Sequence, residues 1–244
     1  MKILVCISSV PDTTAKINFT PDNKSFVSAG VTYILNPYDE IALSKAVDLS
    51  ADGSTITVIS VGDVSVEPVI RKALAIGAQD AVRVNAIPRD AFFVASQIAA
   101  YCKSSPVDLI LCGRESSDHN GSSVPVMVAE ILEIPCILFA KSLTIDGATA
   151  TLESEIEGGK EVLVAPLPIV AGASEGMAEW KIPNMRGIMS ARTKPLQVIE
   201  AVAAEERVRV LSYDKPAPRS AVKLINPDDA SHLFEIIREE KKII

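Results

Sequence analysis

The chain has little of what metal and nucleophile chemistry needs. Its 244 residues include two histidines, four cysteines and one tryptophan, and aromatic residues make up only 5%. Cys6, Cys102, Cys112 and Cys136 show no CxxC spacing, and three of them lie in apolar runs. That pattern argues against a zinc site and against a disulfide framework, and predicts buried, reduced thiols. No GxSxG, HExxH, Walker A, EF-hand or GxGxxG pattern occurs. His119, between Asp118 and Asn120, has the chemistry of a general base but reads as a solvated loop histidine. Asp118 suits a ribose, and one carboxylate does not make a metal site. The pairs Ser8-Ser9, Ser116-Ser117 and Ser122-Ser123 offer hydroxyls with no base beside them, which suits holding a ligand better than attacking one. Neither a catalytic set nor a metal site is therefore expected. A net charge of −7 and the lack of a basic, aromatic-studded stretch argue against nucleic acid or an anionic membrane as the main partner. No apolar run reaches membrane-spanning length. The opening MKILVCISSVPD passes into a turn without a cleavage-site pattern, so it reads as a first strand, and the cytoplasm is the expected compartment.

What is present is a Val-, Ile- and Ala-rich soluble profile, 48% apolar and 23% charged. The length suits one large domain, or a domain plus an extension. The most informative stretch is 107–132. Val107, Leu109, Ile110, Leu111 and Cys112 make a strand that Gly113 ends, and residues 114–123 contain almost nothing apolar. From Val124 the apolar positions Val124, Val128, Ile131 and Leu132 recur at helical spacing. In an open α/β sheet, ligands collect at the carboxyl ends of strands. A loop leading into a helix N-terminus there offers free backbone N–H groups and a favourable dipole to an anion. Gly121, Ser122 and Ser123 stand where a phosphate would be met. The plainer reading is an ordinary strand–helix connection with a serine N-cap.

Along the chain, residues 2–7 read as a strand, followed by a polar turn. A small hairpin is predicted around Thr20-Pro21-Asp22-Asn23. Asn36-Pro37 opens a helix with Asp39 and Glu40 in its first turn. Asn36 there is either a simple cap or a group for the polar edge of a ligand. Strands at 55–61, 81–84 and from 134 alternate with helices at 69–76 and 91–101, and Gly77 closes the first of these helices. This alternation predicts an α/β fold: a doubly wound, mostly parallel sheet with helices on both faces. Strands at 142–145, 148–156 and 160–164, joined by Asp146-Gly147 and Gly158-Gly159, predict an antiparallel addition. From Ser174 onward the pattern is irregular, with Trp180, Ile182, Met185, Ile188 and Met189 among prolines and glycines. A last helix is expected from 228 to about 241, capped by Asp228. The expected organisation is an α/β domain over 1–190 and a C-terminal arm over 191–244, which has little core of its own and should pack on a partner subunit.

Several motifs in order resemble the β subunit of electron transfer flavoproteins. They are the opening MKILVCISSVPD, Asn36-Pro37-Tyr38-Asp39-Glu40-Ile41-Ala42, residues 73–78 (ALAIGA), the helix entry at 109–130, Glu157-Gly158-Gly159 with Pro166-Leu167-Pro168, and Ile188-Met189 with Pro195-Leu196. The resemblance implies a Rossmann-like fold whose loop-and-helix-start site holds AMP or, in bifurcating members, a second FAD. It also implies an electron-carrying FAD in the complex with an α subunit. Electrons then pass between flavin dehydrogenases, such as an acyl-CoA dehydrogenase, and a downstream acceptor. Such a subunit is an electron carrier without catalytic residues of its own unless it holds a bifurcating FAD. Carried over by position, the implied nucleotide contacts are Cys6, Asn36, Tyr38, Asp39, Val61, Arg114, Asp118, Gly121, Ser122, Ser123 and Val124. Ile182 is the implied partner anchor, with Met185 as its rival. Ser122-Ser123-Val124 departs from the Asn-Gln-Thr of AMP-binding members, whereas Gly113-Arg114 and Val124 resemble bifurcating ones. The stretch 173–181 lacks the family's DLRLNEPRY. A stand-alone adenine-nucleotide-binding regulator is the alternative that the residues leave open.

Overall fold

A computed structural model describes residues 1–50, 53–219, 221–222 and 224–240. The apolar runs near the N-terminus form parallel strands that alternate with helices. In order these are β1 (Lys2–Cys6), α1 (Pro37–Leu49), β4 (Thr55–Val61), α2 (Glu67–Ile76), β5 (Asp80–Asn85), α3 (Ala91–Ser104), β6 (Leu109–Gly113) and α4 (Val124–Leu132). Between β1 and α1, β2 (Ser9–Pro11) and β3 (Tyr33–Leu35) pair antiparallel and bracket an insertion. The hairpin expected there reduces to a single bridge between Phe19 and Phe26. After α4 come β7 (Cys136–Asp146), β8 (Thr149–Ile156), β9 (Gly159–Pro166), β10 (Ile169–Ala173), α5 (Met185–Ala191), β11 (Leu196–Glu200) and α6 (Ala230–Glu235).

Nine strands form one sheet in the order β11-β5-β4-β1-β6-β10-β7-β8-β9. From β11 to β7 every neighbouring pair is parallel, and β8 and β9 add an antiparallel meander at one edge. The fold is thus the expected α/β architecture. β6 and β10 are buried along their whole length, as central strands covered on both faces must be. One core layer, with Ile41, Leu43, Ile70 and Leu74, lies under α1 and α2. The other, with Ala95, Ile98, Val128 and Ala129, lies under α3 and α4. All four cysteines are free and lie in or against the second layer, so thiols scattered along the sequence are neighbours in space.

Three local expectations need correction. The two strands expected at 134–139 and 142–145 are one strand, β7, with a register shift between Ala140 and Ser142 and a left-handed Phe139. The region after Ser174 is less irregular than its composition suggests. Asn184 caps α5 through the Gly187 N–H, and β11 adds to the sheet beside β5. The last helix is also shorter than expected. Asn226, not Asp228, makes the cap, a 3-10 turn precedes α6, and the helix widens over Ile236–Glu240. The expected end near 241 lies outside the described residues. Among the described residues, no helix is long and apolar enough to cross a membrane.

The chain runs outward from β1 through β4 to β5, then returns to the other side of β1 with β6. The strand order therefore reverses between β1 and β6, and their carboxyl ends open the crevice where α/β sheets bind ligands.

Candidate functional site

The loop after β6 is held from beneath by α1. Asn36 occupies the N-cap position of α1 but makes no side-chain cap. Fully buried, it donates from Nδ2 to the Glu115 carbonyl (2.9 Å), and its Oδ1 accepts the Ser117 N–H (3.2 Å). Asn36 is neither a simple cap nor a free ligand edge; it clamps the loop. Asp39, in the first turn of α1, ties the strand ends together. One carboxylate oxygen accepts the Gly113 N–H (2.9 Å), and the other accepts the Ser8 N–H (2.8 Å) and hydroxyl (2.6 Å). Burial pushes the Asp39 carboxyl up to about 6, and the Ser8 and Gly113 bonds bring it only part of the way back. Gly113 fits because it has no side chain. A Cβ there would lie 2.4 Å from Asp39 Oδ1 and 2.7 Å from Tyr38 Cβ.

Above this base, Arg114 sits between two aromatic rings. Its guanidinium carbon is 4.9 Å from the Tyr38 ring centre and 5.5 Å from that of Phe139. Nε and Nη2 donate to Glu115 Oε1 at 3.1 and 2.8 Å, and this bond raises the Arg114 pKa. Nη1 makes no bond to the described residues, so one edge of the fork is left for a ligand. Asn120 and Ser122 have left-handed backbones, uncommon for non-glycine residues and concentrated at functional loops. Gly121, between them, has open space at its Cβ position, the nearest atom being Ser123 Oγ at 3.8 Å. Ser123 is at the N-cap of α4 but turns its hydroxyl back to the Gly121 carbonyl (2.7 Å), so no side chain caps the helix. Pro125 has no N–H to offer, but the first turn of α4 keeps the backbone N–H groups of Val124 and Val126 and the positive end of its dipole for an anion.

Cys6, Asn36, Tyr38, Asp39, Val61 and the 114–124 loop thus meet at the carboxyl end of the sheet. Their roles differ. The Cys6 thiol lies in the α3/α4 layer; its pKa is raised by a bond to Cys112 and by burial, so only the strand end faces the crevice. Asp118 lies toward solvent with its carboxylate accepting the His119 N–H (2.9 Å). Ile182 and Met185 are far more exposed than an apolar side chain usually is, at 89% and 73%, and they lie elsewhere, Ile182 just before α5 and Met185 at its start, where α5 packs on α2. Sequence reading missed Glu115 and Phe139. Glu115 had a signal, a carboxylate next to the only arginine of the loop. Phe139 had none, because its position depends on the irregularity in β7.

With this geometry in view, comparison with known proteins is decisive. Residues 24–204 match the family described as "Electron transfer flavoprotein domain". The chain is 37% identical to the electron transfer flavoprotein subunit beta of Syntrophomonas wolfei, over 91% of this chain and 88% of that one. It is 32% identical to the subunit beta of Bacillus subtilis over the full length of both. It is also 32% identical to the human subunit beta over 94% of each. The chain belongs to the electron transfer flavoprotein β-subunit family. Membership sets the loop over α1 in a context of electron transfer.

Proposed function

We propose that the chain is the β subunit of a heterodimeric electron transfer flavoprotein. It binds an adenine nucleotide at the carboxyl ends of β1, β4 and β6 and helps pass electrons between flavin dehydrogenases and a downstream acceptor in the cytoplasm. The observation that carries this reading is the uncapped start of α4 beneath a loop clamped by Asn36. In this reading the α4 N–H groups, Ser122, Ser123 and Arg114 Nη1 meet the phosphates. Tyr38, Val61 and the backbone around Asp39 line the adenosine, and Asp118 reaches the ribose. The nucleotide is AMP, as a structural ligand, or a second FAD. A flavin there would supply one- and two-electron transfer; the residues present bind and orient it.

Gly113-Arg114 resembles bifurcating members, but the two residues do not weigh equally. Gly113 is required by its packing on Asp39 and Tyr38 whichever nucleotide binds. Arg114, clamped between two rings with one edge free, is the feature that favours the larger flavin nucleotide. The main FAD belongs to the complex with the α subunit. The exposed Ile182 and Met185, with Trp180 and Met189 beside them, form the face offered to a dehydrogenase such as an acyl-CoA dehydrogenase. The distal C-terminal arm, with Val222, Leu224 and Phe234 exposed, packs on the α subunit.

The test is to co-express the chain with its α subunit, denature the purified complex and identify the released nucleotides. One FAD and one AMP per heterodimer support a shuttle with a structural nucleotide. Two FAD support a flavin at the β site and direct the next measurement to its reduction by NADH. Only one FAD and no other nucleotide would overturn the site.

A further inference from the structure

The C-terminal arm does not leave its own subunit at once. Gln97, almost fully buried on α3, grips Val202 from both sides, with Nε2 donating to its carbonyl (3.0 Å) and Oε1 accepting its N–H (2.7 Å). Asp90 has two tasks. Its Oδ1 caps α3 through the Phe93 N–H (2.7 Å), while Oδ2 accepts the N–H groups of Arg207 (2.6 Å) and Val208 (2.9 Å). The Arg207 guanidinium lies 3.9 Å from the centre of the Phe92 ring. Further on, the Tyr213 N–H donates to the Asn23 carbonyl (2.8 Å), and its ring stacks on Phe19 with centres 4.7 Å apart. Lys215 Nζ donates to Asn18 Oδ1 (2.9 Å). The first two anchors follow the carboxyl end of β5, and the last lies in the insertion after β1. In the sheet β4, which ends at Val61, separates β5 from β1, so the two anchors lie on elements that flank it.

We propose that residues 201–215 form a strap, latched by Asp90 at one end and Tyr213 at the other, that walls one flank of the nucleotide crevice and slows ligand release. The wall role rests on the nucleotide reading above; the latch does not. Hydrogen bonds and ring contacts hold the strap more than burial does. Val208, Val210 and Leu211 face solvent, and no helix or strand forms across it. Elements with few buried apolar contacts open locally below the global unfolding threshold. The strap can therefore open while the sheet stays folded.

The experiment is timed trypsin digestion of the full-length chain, since Arg207 and Arg209 lie in the strap and Arg219 lies beyond it. In the unmodified chain, cleavage after Arg207 and Arg209 should be about tenfold or more slower than after Arg219. Asp90→Ser keeps one oxygen for the α3 cap and loses the one that holds the strap. Tyr213→Ala removes the ring stack on Phe19, the side-chain part of the other anchor, without touching α3. Each should speed strap cleavage about tenfold. Release of preloaded AMP, and of FAD in parallel, into excess unlabelled nucleotide should become several times faster. Equal cleavage at all three arginines in the unmodified chain would overturn the latch. Faster cleavage with unchanged release would overturn the wall. Failure of the unmodified chain to hold either nucleotide would refute the site reading and with it the wall, while the digestion pattern would still decide the latch.

Discussion

Gly113→Ala puts the packing of the site to a direct test. The new Cβ would lie 2.4 Å from Asp39 Oδ1, 2.7 Å from Tyr38 Cβ and 2.8 Å from the Asp39 backbone nitrogen. None of these atoms is the free end of a flexible chain. Asp39 is buried and held by Ser8, and Gly113 ends a strand buried on both sides. Overpacking of this kind costs roughly 1–3 kcal/mol. Pushing α1 away also weakens the Gly113 N–H bond to a carboxylate, a contact worth about 1.5–3 kcal/mol. The expected loss is about 2.5–6 kcal/mol, or a drop in Tm of roughly 5–24 °C for a chain of this size. Gly121→Ala is the control in the same loop, where the added methyl meets nothing closer than 3.8 Å. Its stability should change by no more than about 0.5 kcal/mol. Thermal unfolding by circular dichroism of both variants, without added nucleotide, is the assay. Two melting curves that coincide would refute the packing argument and leave Gly113 as a residue of ligand contact alone.

Asn36→Ala removes both loop clamps and leaves the Glu115 carbonyl and Ser117 N–H without their partner, a loss of about 1–3 kcal/mol for each group that stays buried. Amide exchange should accelerate over 115–123, and co-purified nucleotide should fall; unchanged exchange would count against the clamp. Asp39 sets a pH dependence. Its folded value of about 6 lies above the unfolded carboxyl at about 3.9, so the unfolded chain releases its proton first. Stability should therefore fall as pH rises from about 4 to about 6, by up to ~3 kcal/mol, and stay low above that. Asp12, Asp22, Asp63 and Asp90, whose values are lowered, act below this window, and Asp39→Asn should flatten the slope when Tm is followed against pH. Gly187→Ala would set a Cβ 2.4 Å from the Ala75 carbonyl oxygen and lift α5 from α2. A loss of roughly 1–3 kcal/mol, with weaker dehydrogenase binding by titration calorimetry, is expected; intact stability would show that α5 tolerates displacement.

The period and length of the apolar runs determined the alternation of strands and helices, hence the parallel sheet and the side of it on which ligands collect. A continuous apolar run of strand length is a signal contained in a short window, so residues 109–113 declare a buried strand without help from distant parts. The loop at 114–123 and its helix start were legible for the same reason. Distance in the chain hid the rest. The Asn36 clamp spans 79 residues to Glu115 and the Asp39 tie spans 74 to Gly113, so a local reading could offer only a cap or a ligand contact. β11 was obscured because a five-residue strand at a sheet edge has half-exposed side chains and no alternation to declare it; its partner β5 makes it a strand. The strap was invisible because its anchors are hydrogen bonds and ring contacts to residues more than a hundred positions away. Local sequence sets which segments repeat and which face is apolar. Contacts between remote polar groups exist only where the folded sheet brings them together, and tertiary structure alone decided which of them hold the loop.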